Sequence, residues 1–569
     1  MKRWFLDRGG LLALLALGVY AFVAAPHIVG NDSAELSTLG TTGGVAHPSG
    51  YPGYVLWLRA WSWLPGTAAF SASIATAVLG ALSILALHAA CRGWGAKPAA
   101  ATIACAVYAA APIIVRYSSE ADVFAPNQLA VALVLWLAAP NGPLRGDRRA
   151  LALGVVAGLG MTNNLTCTLV APVGLVGVWL AMREQKRWWS AIALACLGWL
   201  VGMVPYVYVA IAPQNTLSWP NPTSFDALLD LILRRSYGSL DLVGTGQPVP
   251  IGAQLQVLAS TITRTWLWVL PVLGLATLLV RCVRPGRVPW IALALSTALA
   301  GPLLVMRFDV QPVDIGLQLV HRFHLLPALL LAIPIASGLQ WIADELGKRS
   351  QTPPRASLAM FAAYVAFAAA TFVAVLDVSR FHTPAMENAA RNTLRSLPPR
   401  AVVMSNVADD LDVATRYLQL TEDERTDVLY FRYPDLVVPW YAAKVGVAPA
   451  SAVALVERFH TEGRPVFVNW WEKDLRAKYP SYPFGILVRL LPVGAPVPAL
   501  EEQFATNRSL FETFDLAYPL PGKADDFATW VHRKYAGTWG RLSSDLAAAG
   551  NRELAATAFE IGRALQPQQ

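Results

Sequence analysis

The chain has 569 residues, of which 55% are hydrophobic and 14% are charged, whereas about 25% of the residues of a soluble globular protein are charged. A single water-soluble body is therefore excluded. Residues 1–377 hold 24 Lys and Arg against 15 Asp and Glu, while residues 378–569 hold 21 against 22. The basic excess belongs to the apolar part, which excludes nucleic-acid binding and indicates a membrane region followed by a soluble domain.

Eleven apolar segments precede residue 378, and each is predicted to cross the membrane, since a span needs about 20 mostly apolar residues. The fifth and sixth share one stretch that is broken by Thr162-Asn163-Asn164, so nine or ten spans are the alternative count. The first segment also fits a cleaved signal peptide. The segments are 10–29, 67–90, 98–115, 124–140, 150–162, 166–182, 189–212, 258–281, 288–306, 322–341 and 357–377.

Lys and Arg in the loops predict the orientation of these spans. With a cytoplasmic N-terminus and eleven spans, the cytoplasmic segments hold 17 Lys and Arg and the opposite segments hold 7, as the positive-inside rule requires. The long loops 30–66 and 213–257 and the tail then lie on the outer face, which is the periplasm if the chain is bacterial. Long loops without clear structure of their own are often functional, so we expect the chemistry on this face.

The first outer loop holds the most suggestive residues. Asp32 and Glu35 are three positions apart, so one helical turn would place both carboxylates on one face. Such a pair can have separated pKa values, with one group suited to act as a base. The alternative is a helix N-cap with Glu35 in the first turn, and the two interpretations are compatible. His47 and Tyr51 flank a rigid turn and are weaker candidates for polar contacts.

Further polar residues follow at predicted span ends. Glu120 and Asp122 end the third span, where ionisable groups cost less than at mid-membrane; the alternative is a solvated loop pair. Asn163 and Asn164 interrupt an apolar stretch, and polar groups at membrane depth need partners or a water-filled cavity. An outer turn between two helices explains them equally well.

Arg binds phosphate and similar anions in bidentate fashion, so arginines near the outer surface are candidate anion-binding residues. Arg322 opens the tenth span, where snorkelling toward the lipid headgroups is the alternative role. Arg235 and Tyr237, in the fourth outer loop, compete for the phosphate-binding role.

The tail is predicted to be an extracytoplasmic α/β domain over residues 378–530, because the runs 400–406 and 464–469 have the composition of short buried strands. We expect it to fold by itself. Residues 531–569 carry Trp539, Leu542, Gly550, Ala555, Phe559, Gly562 and Pro567 at the spacing of one degenerate tetratricopeptide repeat. One repeat cannot bury its own face, so a helical hairpin packed on the domain is expected.

The first-loop pattern Asp-x-x-Glu-Leu followed by His-Pro-x-Gly-Tyr-Pro resembles the opening signature of domain-of-unknown-function family 2723. That family is similar to protein O-mannosyltransferases and is grouped as glycosyltransferase family 117 in the GT-C superfamily. Residues 119–127 and 160–166 resemble later family segments, with an Asp inserted after Ala121 and Asn164 in place of the family's His. The resemblance covers residues 10–330, within a predicted membrane domain of residues 1–377.

The resemblance implies a polytopic α-helical membrane protein of the GT-C type that transfers a sugar, such as mannose, from a polyprenyl-phosphate donor to an acceptor hydroxyl. The transfer would be inverting, with Asp32 as general base, Glu35 orienting the acceptor or Asp32, and Arg322 stabilising the leaving phosphate. The acceptor would be Ser or Thr of an exported protein, a glycan or a lipid.

Nucleotide-binding and zincin motifs do not occur in the sequence, so we expect no cofactor requirement; the sequence assigns no metal ligands and leaves dependence on a divalent metal open. The alternative from another class is a transporter or flippase of lipid-linked sugars.

Overall fold

The computed structural model describes residues 8–185, 187–237, 249–349, 356–406, 410–469, 472–522 and 526–567. The chain divides into two compact units. Unit 1 combines residues 1–26, 43–213 and 221–380. Unit 2 combines residues 27–42, 214–220 and 381–569.

The described residues are mainly helical. The α-helices, numbered α1 to α26 in chain order, are Arg8–Phe22, Ser33–Thr42, Pro52–Trp61, Ala68–Gly93, Pro98–Ala109, Pro112–Tyr117, Phe124–Leu137, Gly146–Met161, Ala171–Arg183, Trp188–Gly202, Tyr206–Ile211, Phe225–Ile232, Ile251–Thr265, Leu270–Val283, Val288–Ala298, Ile315–His321, Leu325–Arg349, Ala356–Ser379, Ala385–Ser396, Asp410–Thr421, Pro439–Val445, Ala452–Thr461, Lys473–Lys478, Leu500–Thr513, Phe527–Ala548 and Arg552–Leu565. Short 3₁₀-helices cover Leu165–Val170, Arg235–Tyr237, Arg322–His324 and Tyr433–Val437, and a π-helical turn covers Leu299–Leu303.

Unit 1 contains the apolar helices, and each of the eleven predicted segments overlaps one or more of them. Within the described residues, four helical stretches are long and apolar enough to cross a membrane, and a fifth is formed if α13 and α14, bent by 102°, count as one span. Five further apolar helices are shorter. The four long stretches are Ala68–Gly93, Leu165–Arg183, Trp188–Ile211 and Ile315–Leu346. The chain is therefore an integral membrane protein, and the count of eleven spans stays a prediction.

Close packing of α8 against α10 positions the break between the fifth and sixth predicted segments. A Cβ at Gly154 or Gly158 of α8 would overlap backbone atoms of α10, and a Cβ at Gly198 or Gly202 of α10 would overlap backbone atoms of α8. Small residues at four-residue spacing let two membrane helices approach in this way. After Met161 the chain leaves α8 through Thr162, Asn163 and Asn164, as the sequence predicts.

Unit 2 is built on a five-stranded sheet in the order β2-β1-β3-β5-β4. Strand β1 is parallel to β2 and β3, and β5 is antiparallel to β3 and β4. Both predicted strands are confirmed as β1 and β3. The strands are β1 Val402–Ser405, β2 Leu429–Arg432, β3 Val466–Val468, β4 Ser481–Phe484 and β5 Leu487–Leu490.

Helices α25 and α26 pack on each other at the C-terminal end of unit 2. Trp539, Leu542 and Leu546 of α25 are buried with Ala555 and Ala558 of α26. The helical hairpin agrees with the sequence, while its relation to tetratricopeptide repeats stays a prediction.

Unit 2 contains residues from both sides of the predicted domain boundary, which lies between residues 377 and 378. Besides the tail, it includes residues 27–42, which cover the end of the first predicted segment and the start of the first outer loop, and residues 214–220 of the fourth outer loop. Helix α2 packs against α20, and the Arg416 guanidinium donates to the Thr216 carbonyl at 3.0 Å. The compact unit differs from the predicted domain because residues of two loops pack against the tail, although they are far from it in sequence. Such contacts cannot be recognised from the amino-acid composition along the chain.

Candidate functional site

Two buried arginine–carboxylate pairs lie at the ends of apolar helices in unit 1. Arg116, near the end of α6, is only 6% exposed, and its Nε lies 3.4 Å from the Oε2 atom of Glu120. Arg322, directly after α16, is 9% exposed, and its Nη1 lies 3.6 Å from the Oδ2 atom of Asp122. Because an unpaired buried charge is costly, each guanidinium requires its carboxylate.

Gln318 connects the two pairs. Its side-chain oxygen accepts a hydrogen bond from Nη1 of Arg116, and its backbone carbonyl accepts one from the Tyr117 hydroxyl at 3.3 Å. Gln318 belongs to α16, which leads into Arg322 one turn later. The segment that carries Glu120 and Asp122 is thereby tied to the segment that carries Arg322.

Aromatic rings surround the Arg322 guanidinium, whose carbon lies 5.5 Å from the ring centre of Phe124 and 6.0 Å from that of Phe323. Cation–π attraction helps to hold a guanidinium in a fixed orientation. A buried guanidinium beside a carboxylate and aromatic rings has the chemistry to bind an anionic group such as a phosphate.

The turn before α3 lies next to this cluster. The hydroxyl of Tyr51 and Nε2 of His47 are 3.1 Å apart, and the Gly53 amide donates to the Thr162 carbonyl at 3.1 Å. The Asn163 side-chain amide donates to the carbonyl of Val123, the residue after Asp122, at 2.9 Å. The structure therefore brings the predicted residues His47, Tyr51, Asn163, Glu120 and Arg322 into one region of unit 1.

Asn164 has a local role, because its side-chain oxygen caps the next helical turn by accepting from the Thr166 amide at 3.0 Å. Arg235 is not part of the cluster. It forms an exposed ion pair with Asp230, with an Nη1–Oδ1 distance of 2.7 Å, and such pairs contribute little. The backbone of Tyr237 ends the same short helical turn.

Asp32 and Glu35 belong to unit 2, at the N-terminus of α2. The helix begins at Ser33, so Asp32 directly precedes it and Glu35 lies in its first turn. The Asp32 carbonyl accepts the first helical hydrogen bond, from the Leu36 amide at 2.9 Å. Both acidic residues are half-buried. Their places fit the capping interpretation, which is compatible with a role in proton transfer.

Two residues of the unit 1 cluster, Arg116 and Gln318, were not singled out in the sequence, whereas Asp122 was considered there beside Glu120. Arg116 lies four positions before Glu120, a spacing that joins charges on one helical turn, and this signal was available in the sequence. Gln318 is joined to Arg116 across 202 positions, and no local pattern marks it. Within the described residues, no group of three or more His, Cys, Asp or Glu side chains is arranged to hold a metal ion.

The fold is similar to that of ArnT from Cupriavidus metallidurans bound to undecaprenyl phosphate, with a TM-score of 0.53, 16% identity and coverage of 86% of this chain and 99% of that chain. The apo state of the same protein gives a TM-score of 0.51 and 14% identity over 84% of this chain and 97% of that chain. The fold is thus of the GT-C type, as the sequence resemblance implies.

The sequence comparisons give partial matches to protein O-mannosyl-transferases. Residues 32–189 match the model of the protein O-mannosyl-transferase TMEM260 N-terminal domain. The chain is 24% identical to protein O-mannosyl-transferase TMEM260 of Mus musculus over 458 residues, 76% of this chain and 64% of that protein. It is also 24% identical to protein O-mannosyl-transferase tmem260 of Dictyostelium discoideum over 257 residues, 41% of this chain and 31% of that protein. Both matches span less than two thirds of the relatives' own length.

Proposed function

We propose that the protein is a membrane glycosyltransferase that moves a hexose, such as mannose, from a polyprenyl-phosphate donor to an acceptor hydroxyl. The observation that carries this proposal is the buried Arg322–Asp122 pair beside Arg116 and Glu120, in a fold similar to that of a protein solved with undecaprenyl phosphate. The match of residues 32–189 to an O-mannosyl-transferase model supports mannose and a protein acceptor. A donor anchored in the lipid requires no nucleotide-binding loop.

In the proposed reaction the acceptor oxygen forms a bond to C1 of the sugar, and the bond between C1 and the phosphate oxygen breaks. The leaving electron pair goes to the phosphate, where Arg322 stabilises the growing negative charge. The acceptor proton goes to the Asp32 carboxylate as general base. Glu35 orients the acceptor or Asp32. Attack opposite the leaving group inverts the anomeric centre.

The proposal includes a topology. Eleven spans with a cytoplasmic N-terminus would place the first loop and the tail on the outer face, and the bias of Lys and Arg toward the cytoplasmic loops supports this orientation. The donor would then be used on the extracytoplasmic side, with Ser or Thr of exported proteins as acceptor. Mannosylated glycan or lipid would instead identify those acceptors.

The test is reconstitution of the purified chain in vesicles with a polyprenyl-phosphate hexose and a Ser/Thr-rich peptide. The parent should form a covalent glycopeptide. Asp32→Asn should lower the transfer rate by about 10²–10⁴-fold, the usual contribution of a general base, because the amide keeps the capping capacity and loses the basicity. Asp226→Asn, at an exposed acidic residue of α12, is the matched control and should keep the parent rate.

Transfer by Asp32→Asn within threefold of the parent would remove the base assignment. Donor translocation without covalent transfer would replace the enzyme with a transporter. Intact-glycan mass spectrometry of exported proteins and lipids, with and without the chain, would identify the acceptor.

A further inference from the structure

The segment that leads into Asp32 is anchored to a buried acid on the tail. Glu387, in the first turn of α19, is 4% exposed. Its Oε2 accepts a hydrogen bond from the backbone amide of Ile28 at 3.2 Å, and its Oε1 lies 3.5 Å from Nδ1 of His27. Ile28 is fully buried. Glu387 therefore fixes the backbone four residues before Asp32.

Neighbouring groups keep the Glu387 carboxylate ionised. Nη2 of Arg391, one turn later on α19, lies 3.2 Å from its Oε1 atom. Burial alone would raise the pKa of Glu387, but contacts with His27, the Ile28 amide and Arg391 hold that pKa below its ordinary value. Glu387 is thus an ionised acceptor at neutral pH, and hydrogen bonds to a charged acceptor are stronger than those to a neutral one.

A second contact with the tail follows at Gly30. This residue has a φ of +102°, in the left-handed region that favours glycine. A Cβ at Gly30 would overlap the ring of Phe527, the buried first residue of α25. The chain then turns into α2 through hydrogen bonds from the Val29 amide to the Ser33 hydroxyl at 3.0 Å and from the Ser33 amide to the Gly30 carbonyl at 3.3 Å.

The far end of α2 is also held within unit 2. The Asn215 side-chain amide donates to the Thr42 hydroxyl at 3.0 Å. Helix α2 is thereby held at both ends, with the carboxylates of Asp32 and Glu35 beside the end that Glu387 and Phe527 fix.

We propose that Glu387 is a positioning residue for sugar transfer, which places the Asp32 carboxylate by holding the backbone of residues 28–32 against the soluble unit. This inference rests on the proposed role of Asp32. Positional errors of about 1 Å in a reacting group can lower a rate by about 100-fold. The tail is therefore part of the apparatus that positions the base.

The experiment compares Glu387→Ala with Glu422→Ala in the full-length chain. Glu422 also pairs with Arg391, at 2.7 Å, and its described hydrogen bonds are with Arg391 and the Leu418 carbonyl, not with residues 27–32. Both variants lose an ion pair of Arg391, and only the first loses the anchor of Ile28. Glu387→Gln retains an acceptor oxygen for the Ile28 amide and is the conservative variant if Glu387→Ala does not fold.

Two measurements are made on each variant in detergent. Hydrogen exchange of the peptide 27–36 should accelerate at least tenfold in Glu387→Ala and stay at the parent rate in Glu422→Ala. The turnover number for transfer should fall by about 10–100-fold in Glu387→Ala, with the dissociation constant of the donor unchanged, and should recover partly in Glu387→Gln. A merely structural role would lower the unfolding temperature and leave kcat per folded molecule unchanged.

The inference fails if exchange of the peptide 27–36 stays at the parent rate in Glu387→Ala, or if exchange accelerates while kcat is unchanged. The proposed function fails in a different way, when Asp32→Asn keeps the parent rate. Loss of activity in Asp32→Asn together with full kcat in Glu387→Ala would leave the base assignment intact and overturn the positioning role alone.

Discussion

Arg322 and Asp122 provide a test that separates donor binding from stability. The Nη1–Oδ2 distance of 3.6 Å corresponds to a gross attraction of about 4–5 kcal/mol at the effective dielectric constant of about 20 that suits protein sites. Desolvation of two buried side chains offsets much of this attraction. Replacing either partner alone leaves the other charge buried, so Arg322→Gln and Asp122→Asn should each destabilise the chain by about 3–5 kcal/mol.

The double variant removes both charges, and it should recover about 1–3 kcal/mol relative to the sum of the single changes, the usual coupling for residues in contact. Donor affinity should behave differently. If Arg322 contacts the donor phosphate, its loss removes a charged hydrogen bond of about 1.5–3 kcal/mol, so the dissociation constant should rise by about 10–100-fold in Arg322→Gln and stay raised in the double variant.

The assay measures thermal unfolding in detergent and equilibrium binding of a polyprenyl phosphate for the parent, both single variants and the double variant. Glu120→Gln combined with Arg116→Gln is the matched control, because it neutralises the neighbouring buried pair. Recovery of both stability and donor affinity in the Arg322 and Asp122 double variant would refute the reasoning, since Arg322 would then serve only as the partner of Asp122.

Two further predictions concern topology and pH. A reporter that is active only after export should be active when fused after Arg380 and inactive after Arg149, with a reporter that is active only in the cytoplasm giving the opposite pattern; the reverse result at either position would overturn the proposed orientation. Burial lowers the pKa of His532, against opposing effects of its hydrogen bond to Leu565 and the charge of Asp526. As the pH falls, His532 is therefore protonated in the unfolded state before it is protonated in the folded state. The stability contributed by neutral His532 is therefore full above about pH 6.5 and falls below it, by at most about 1.4 kcal/mol per pH unit, and thermal unfolding at pH 5 and pH 7.5 should show a smaller difference in His532→Gln than in the parent.

The apolar helices of unit 1 were predictable from sequence. Apolar segments of span length correspond to helices because a membrane helix satisfies its backbone hydrogen bonds internally. The breaks of the helical backbone within these segments were harder to recognise in the sequence. Segment 98–115 is divided between α5 and α6 before Pro112, and segment 258–281 is bent by 102° between α13 and α14. In each case a local backbone break leaves the mean hydropathy of the segment almost unchanged.

The site was predictable only in part, because its residues meet across long stretches of chain. Glu120 and Arg322 were recognisable as ionisable residues at the ends of apolar spans. Their pairing was not, since Arg322 contacts Asp122 and Gln318 contacts Arg116, each about 200 positions away. Arg235 was an equally plausible phosphate-binding arginine from sequence, yet in the structure it forms an exposed ion pair with Asp230. Burial, which distinguishes the two arginines, is a tertiary property.

The first outer loop illustrates how such distant contacts bear on function. From sequence, residues 27–29 end the first apolar segment and residues 30–42 begin the loop after it, and the tail follows more than 330 residues later as a domain of its own. The structure instead joins Ile28 to Glu387 and Gly30 to Phe527 within one compact unit. A loop without a core of its own cannot bury enough surface to hold a fixed backbone, whereas a sheet-based domain with its own core can supply rigid partners. Placing a proposed base on such a support reduces the conformational freedom that would otherwise be lost on reaching the transition state.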